Sequence, residues 1–189
     1  TVMQSSGLTL AAEQAAGQAV RLLLSGPAGG LIAARTLLAS EQLMTFDMGG
    51  TSTDVSLIHH DLAISKNMHL TGLPIAIPAI DIQTIGAGGG SIAEIDAGGL
   101  LKVGPRSAGA QPGPACYNLG GKAATVTDAN VVLGRLPANQ PLADNLWLDA
   151  EKAHGAVAEL STSLNLSPIE TAQGIVTLAN ETMAETLRF

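Results

Sequence analysis

Aromatic side chains are almost missing from this chain. Phe, Trp and Tyr together make up 2% of its 189 residues. A core must therefore be filled by Ala, Leu, Ile and Val, and a hydrophobic content of 46% is enough for one. Basic residues are also scarce. Lys and Arg number 9 against 16 Asp and Glu, for a net charge of -7. That balance excludes the basic stripe of a nucleic-acid surface. It leaves open phosphate binding by backbone N–H groups, which needs no basic side chain. Cysteine occurs once, at Cys116, so neither an internal disulfide nor a cysteine-based zinc cluster can form. A lone thiol suits a reducing compartment, and the cytoplasm is the expected location. No apolar run approaches the ~20 residues of a membrane span, and no secretory leader pattern opens the sequence.

Glycine, by contrast, is abundant. It accounts for 22 of the 189 residues, against a usual share of ~7%. The glycines cluster without a short repeat, which points to loops that approach a ligand or another backbone closely. The chain opens at Thr1 and stops within a helical pattern, 181-ETMAETLRF-189. A piece of a longer protein is the expectation, forming a single domain over residues 1–189 without a clear internal boundary.

The elements read as follows. Residues 1–8 suggest a short strand and turn, 9–17 a helix and 19-AVRLLLSG-26 a covered strand. A helix is expected from Ser25, with Pro27 near its first turn. Segments 42–50, 53–60 and 62–70 read as a three-strand meander, whose short connections require antiparallel neighbours. Residues 78–86 suggest a fourth strand or an extended arm, and 91–96 with 100–104 a hairpin. The stretch 104-GPRSAGAQPGPACYNLGG-121 is long for a loop in a compact domain. Helices are expected over 125–134, over 149–164 and from Ser167, where Pro168 and Glu170 complete a cap, an N1 proline and a capping box. The fold class is α/β, with an antiparallel meander in a mixed sheet flanked by helices.

The stretch 44-MTFDMGGTSTDVSLI-58 carries the strongest chemistry. Gly49 and Gly50 let the backbone curl so that N–H groups converge on an anion. Thr51, Ser52 and Thr53 add hydroxyl donors. Asp47 and Asp54 would repel a bare phosphate, and fit one that carries a hard divalent cation. A magnesium-nucleotide therefore suits the pattern better than a free anion, and a decorated turn is the plain alternative.

The other motifs are weaker. The glycine run 86-GAGGGS-91 follows the meander but lacks the lysine of a P-loop and the Rossmann spacing. The run 25-SGPAGG-30 suits helix packing or an anion at a helix start. Arg106 suits a phosphate or a carboxylate partner. Cys116 has no neighbouring histidine to activate it and reads as a packed thiol. Asp128 and Asn130 suit ligand contact or helix capping. His59 and His60, beside Asp61, read as a solvated turn, and no transition-metal site is expected.

Taken together, 25-SGPAGG-30, 46-FDMGGTSTDVSLI-58, 85-IGAGGGSIAEID-96, 103-VGPRSAGAQPGPACY-117 and 125-TVTDANVVLGRL-136 resemble the hydantoinase A/5-oxoprolinase family. The likeness covers nearly the whole chain, with its motifs in order. It implies a ribonuclease-H-like half of an actin-like ATPase, in which ATP lies between two halves, each with a phosphate hairpin. By that resemblance Asp47 and Asp54 are catalytic and hold magnesium, directly or through water. Gly49, Gly50, Thr51, Ser52 and Thr53 face the phosphates, and Gly88, Gly89, Gly90 and Ser91 lie near the same cleft.

Family members carry a second such hairpin nearer their N-terminus, and a glycine-rich adenosine segment after the last helix. Neither is present here. The resemblance therefore implies a central fragment of a catalytic region, inactive alone, with one wall of the ATP site. The implied reaction is ATP-dependent opening of a cyclic amide, a hydantoin or 5-oxoproline, and a hydantoinase B-type second subunit or domain is the implied partner. An ATP-dependent ketone carboxylase subunit and a non-catalytic nucleotide-binding module are the alternatives.

Overall fold

The computed structural model describes residues 1–38, 40–70, 73–143 and 146–188. The fold is α/β, with small antiparallel sheets and helices. It divides into two compact units: Thr1–Asp47 with Asp54–Thr84, and Met48–Thr53 with Ile85–Phe189.

The first unit opens with the antiparallel pair Val2–Met3 and Thr9–Leu10. Its main helix, Ser25–Leu38, buries Ala28 and Leu31. These two pack with Ile58 and Ile80, and with the partly buried Ile32, Leu43, Leu62 and Ile82. Gly29 meets Met3, since a Cβ there would lie 3.6 Å from Met3 Cγ. The glycines at this helix start thus include one that serves packing. The main sheet runs in the order Gln83–Ile85, Thr53–His59, Gln42–Met48, and Asp61–Leu62 also pairs with Thr53–His59. The tip between Gln42–Met48 and Thr53–His59 is too short for anything but an antiparallel hairpin.

Three expectations fail in this unit. Residues 19–26 do not form a strand: Ala16–Leu22 is a 3-10 helix, and Ser25 already begins the long helix. A short apolar run fits either element by periodicity alone. Here Leu24 takes a left-handed φ of 55°, which breaks an extended path. The third meander strand is also not continuous. His60 turns at φ 67°, and after Asp61–Leu62 the chain pairs elsewhere. Ile64–Ser65 joins Ala79–Ile80, while Met68–Leu70 joins Leu73–Ile75. The fourth strand splits in the same way into Ala79–Ile80 and Gln83–Ile85.

The second unit follows the sequence closely. Ser91–Ile95 and Leu101–Ser107 form the expected antiparallel hairpin. Thr125 caps Val126–Val132 with a full capping box to Asp128, and Gly134 ends the turn at φ 69°. Asp149 caps Ala150–Leu164. Ser167, Pro168 and Glu170 start Pro168–Leu187 as their spacing predicts. These three helices share a core that includes Ala129, Val132, Ala153, Val157, Ala172 and Ile175. Alanine dominates it, so the helices approach closely without aromatic filler.

Candidate phosphate-binding hairpin

The tip Met48–Thr53 belongs to the second unit and is held there by backbone contacts. Gly49 N–H donates to Ser52 O at 2.8 Å, which closes the turn. The glycine loop then seats against the tip. Gly89 N–H donates to Gly49 O at 3.0 Å, and Gly90 N–H to Gly50 O at 2.6 Å. Only glycine permits this approach at residue 88. A Cβ there would sit 2.7 Å from Gly49 O and 2.9 Å from Ser52 N, both backbone atoms that cannot rotate away.

The loop is itself pinned from behind. Ser91 is fully buried, and its Oγ accepts Gly88 N–H at 2.9 Å. Thr127, in the first turn of Val126–Val132, donates both its N–H and its Oγ1 to Gly89 O, each at 2.8 Å.

The peptide planes decide what the tip can do. The bonds joining Gly49 to Gly50 and Gly50 to Thr51 are trans. In a trans peptide the N–H points opposite to the C=O. The carbonyls of Gly49 and Gly50 both aim at the glycine loop, so the N–H groups of Gly50 and Thr51 both aim away from it. Among the described residues, the N–H groups of Gly50, Thr51 and Ser52 donate to no protein acceptor. Gly50 and Thr51 are exposed, and Ser52 is half-buried. Successive N–H groups on one side make an anion-binding concavity.

Thr53 is placed differently from its expected role at the phosphates. It is fully buried, its hydroxyl donates to Ala87 O at 2.7 Å, and Met183 Sδ lies 3.5 Å away. It anchors the tip, and its hydroxyl is not free. Gly89 and Gly90 likewise direct their N–H groups at the hairpin. In the first unit, Asp47 is exposed one residue before its strand ends, while Asp54 is half-buried and accepts the Thr84 hydroxyl on Oδ1 at 2.6 Å.

The remaining candidates serve structure. Arg106 Nη1 pairs with Glu94 Oε2 at 2.9 Å across its own hairpin. Asp128 is fully buried and accepts from the N–H groups of Ala115, Cys116 and Thr125 and from Thr125 Oγ1. It is a cap and a loop anchor. Asn130 Nδ2 donates to Val126 O. Cys116 is fully buried, and burial pushes its thiol well above the ordinary range, with Asp128 adding to the shift. It is not a nucleophile in this state. Burial also raises the Tyr117 hydroxyl. His60 Nδ1 lies 2.9 Å from Glu41 Oε2 on an exposed turn, as expected for a solvated site. Among the described residues no group of three or more His, Cys, Asp or Glu could hold a metal ion. No helix among them is long and apolar enough to cross a membrane.

The fold and the hairpin thus define an α/β protein with a backbone-built, glycine-clasped turn between two carboxylates. The chain belongs to the hydantoinase/oxoprolinase family, whose model matches residues 1–189. It is 41% identical to the caprolactamase subunit alpha of Pseudomonas jessenii, over 90% of this chain and 25% of that protein. It is equally 41% identical to the 5-oxoprolinase PfmaA of Pestalotiopsis fici, over 88% of this chain and 14% of that protein. Acetone carboxylase, solved in a nucleotide-free state, superposes with a TM-score of 0.86 at 30% identity, covering 99% of this chain and 27% of that one. The ATP-dependent caprolactamase of P. jessenii superposes with a TM-score of 0.75 at 41% identity, covering 90% of this chain and 25% of that one. The chain spans less than a third of the length of each of these relatives.

Proposed function

We propose that this chain supplies one phosphate-gripping jaw of an ATP-dependent enzyme that opens a cyclic amide, a hydantoin or 5-oxoproline. The observation that carries the reading is the pair of outward N–H groups at Gly50 and Thr51, flanked along the chain by Asp47 and Asp54. Bound ATP would supply the phosphoryl group that activates the amide carbonyl oxygen. Gly50, Thr51 and Ser52 take phosphate oxygens on N–H and hydroxyl groups. Gly49 and Thr53 hold the turn, and Gly88, Gly89, Gly90 and Ser91 brace it from behind.

Magnesium fits this donor set. It commonly uses one or two carboxylates and completes its shell with water and phosphate oxygens. Asp47 is exposed, and the hydrogen bond described for Asp54 occupies only Oδ1. Asp47 and Asp54 are the catalytic carboxylates that would hold the metal, directly or through water. The protein acts by positioning and charge neutralisation.

The chain is read as a central fragment: one ribonuclease-H-like half of an actin-like cleft, in a cytoplasmic enzyme. A second, hydantoinase B-type subunit or domain is the proposed partner. Two relatives are themselves subunits, caprolactamase alpha and the acetophenone carboxylase gamma subunit of Aromatoleum aromaticum, which supports that reading. A ketone carboxylase is the second reading, favoured by the match to acetone carboxylase over 99% of the chain.

The test is an ATPase assay of the full-length enzyme against hydantoins, 5-oxoproline and small ketones. Hydrolysis stimulated by a cyclic amide is expected, and Asp47→Ala should lower it by about 100-fold or more, as for other electrostatic stabilisers of phosphoryl transfer. Unchanged activity in Asp47→Ala would remove the hairpin assignment. Stimulation by ketones alone would replace the hydrolase with the carboxylase.

A further inference from the structure

We propose that Thr127 is a positioning residue for the phosphate site, acting through two peptide groups in series; this rests on the hairpin reading above. Thr127 puts two donors, N–H and Oγ1, on the one oxygen of Gly89 at 2.8 Å each. That oxygen belongs to the peptide whose N–H is Gly90, which donates to Gly50 O at 2.6 Å. Gly50 O in turn belongs to the peptide whose N–H is Thr51, one of the outward donors. The path is therefore Thr127 to Gly89–Gly90 to Gly50–Thr51, and then to the phosphate.

A parallel path runs beside it. Ser91 N–H donates to Gly88 O at 3.0 Å, and Gly89 N–H donates to Gly49 O. It ends at the N–H of Gly50. Each outward donor thus stands at the end of its own chain of peptides. Donors placed on a peptide oxygen polarise that peptide and strengthen its N–H, by ~10–30% per bond. They also fix the plane, so the outward N–H is aimed before the anion arrives. A single N–H would satisfy Gly89 O, and the hydroxyl is a second donor on the same acceptor. Its approach is close enough that a Cβ on residue 89 would lie 2.9 Å from Thr127 Oγ1. Thr127 is 6% exposed and acts from behind the loop.

The experiment uses the full-length enzyme with its partner subunit, assayed by steady-state ATPase with a stimulating cyclic amide. Thr127→Val removes the hydroxyl, keeps the N–H and nearly keeps the shape. The expected result is a rise in KM for ATP of about 1.5-fold to fourfold, the effect of weakening one charge-assisted hydrogen bond by ~10–30%. KM for the cyclic amide should stay at its wild-type value, while the melting temperature falls by only the few degrees that one buried hydrogen bond supports. Thr127→Ser restores the donor and should restore KM for ATP. Thr127→Ala gives the same reading should the valine variant not fold. Wild-type KM for ATP in the hydroxyl-free variants overturns the proposal. So does a serine variant as impaired as the valine one, because the methyl group would then be what matters. Asp47→Ala separates the two levels. If it abolishes ATPase while Thr127→Val changes nothing, only the positioning role fails. If it too leaves ATPase intact, the phosphate reading itself fails.

Discussion

Replacing Asp128 with Asn tests how the second unit is held together. The carboxylate is fully buried and accepts four hydrogen bonds. Oδ1 receives Cys116 N–H at 2.8 Å. Oδ2 receives Ala115 N–H at 3.2 Å, Thr125 N–H at 2.9 Å and the Thr125 hydroxyl at 2.7 Å. Asparagine has nearly the same shape but one oxygen and one NH2. The better of its two orientations keeps the oxygen at the Oδ2 position and turns the NH2 toward Cys116 N–H. One bond to a charged acceptor is lost, worth ~1.5–3 kcal/mol, and two buried donors are left facing each other at a further ~1–3 kcal/mol. We expect a net loss of about 3–4 kcal/mol. In a chain of this size each kcal/mol lowers the midpoint by ~2–4 °C. Thermal melts of both proteins at neutral pH should therefore differ by about 6–15 °C. A loss below about 1 kcal/mol, the level of an ordinary exposed substitution, would refute the reasoning. It would mean that the loop Ala115–Tyr117 does not depend on this anchor.

Further outcomes follow from the same contacts. Gly88→Ala places a methyl group against three backbone atoms of the tip; urea titration should show a loss of about 1–3 kcal/mol. Glu170 accepts from Ser167 N–H and Oγ, and the Ser167 hydroxyl is the leading cause that holds its carboxyl below the ordinary range. Its contribution is present above the ordinary carboxylate pKa and is lost as pH falls through the lowered one. Glu170→Gln should therefore destabilise the protein at pH 7 and converge with the wild type in acid, and an equal gap at both pH values would exclude this. The raised thiol of Cys116 works in the opposite sense, since the fold favours the neutral form. Stability should fall as pH climbs past the ordinary thiol value, and a thiol reagent at pH 8 should label Cys116 only at the rate of unfolding.

Much of the second unit was legible because its elements carry local chemistry. Ser167, Pro168 and Glu170 announce a helix start whatever surrounds them, whereas Asp128 suited a ligand as well as a cap. The first unit was less legible, because its apolar runs are short. Nothing local distinguishes 19-AVRLLLSG-26 as helix or strand, or says that the third meander strand leaves at Leu62 for other partners. The candidate site was legible as a place. The glycine run and the hairpin stood out by composition, and the structure brings them together. Their division of labour was not legible. Which way the Gly89 and Gly90 N–H groups point depends on how one backbone approaches another. Thr53 looked like its neighbours Thr51 and Ser52 but faces inward. Thr127 lay inside an expected helix, and no residue pattern marks a hydroxyl that braces a peptide.

The clasp between the glycine loop and the tip has a consequence for how such a protein can be interrogated. Its outward N–H donors are main-chain groups, and most of the partners behind them are main-chain groups too, joined by the hydroxyls of Ser91, Ser107 and Thr127. A scan that trims side chains to alanine would remove the Thr51 and Ser52 hydroxyls but leave the N–H groups of residues 50–52 in place. At Gly88, Gly89 and Gly90 it would add bulk and report damage of a different kind. Peptide N–H groups also do not titrate, so the grip they offer is the same in acid and in alkali. Any pH dependence of anion affinity at this turn must therefore arise outside its peptide groups.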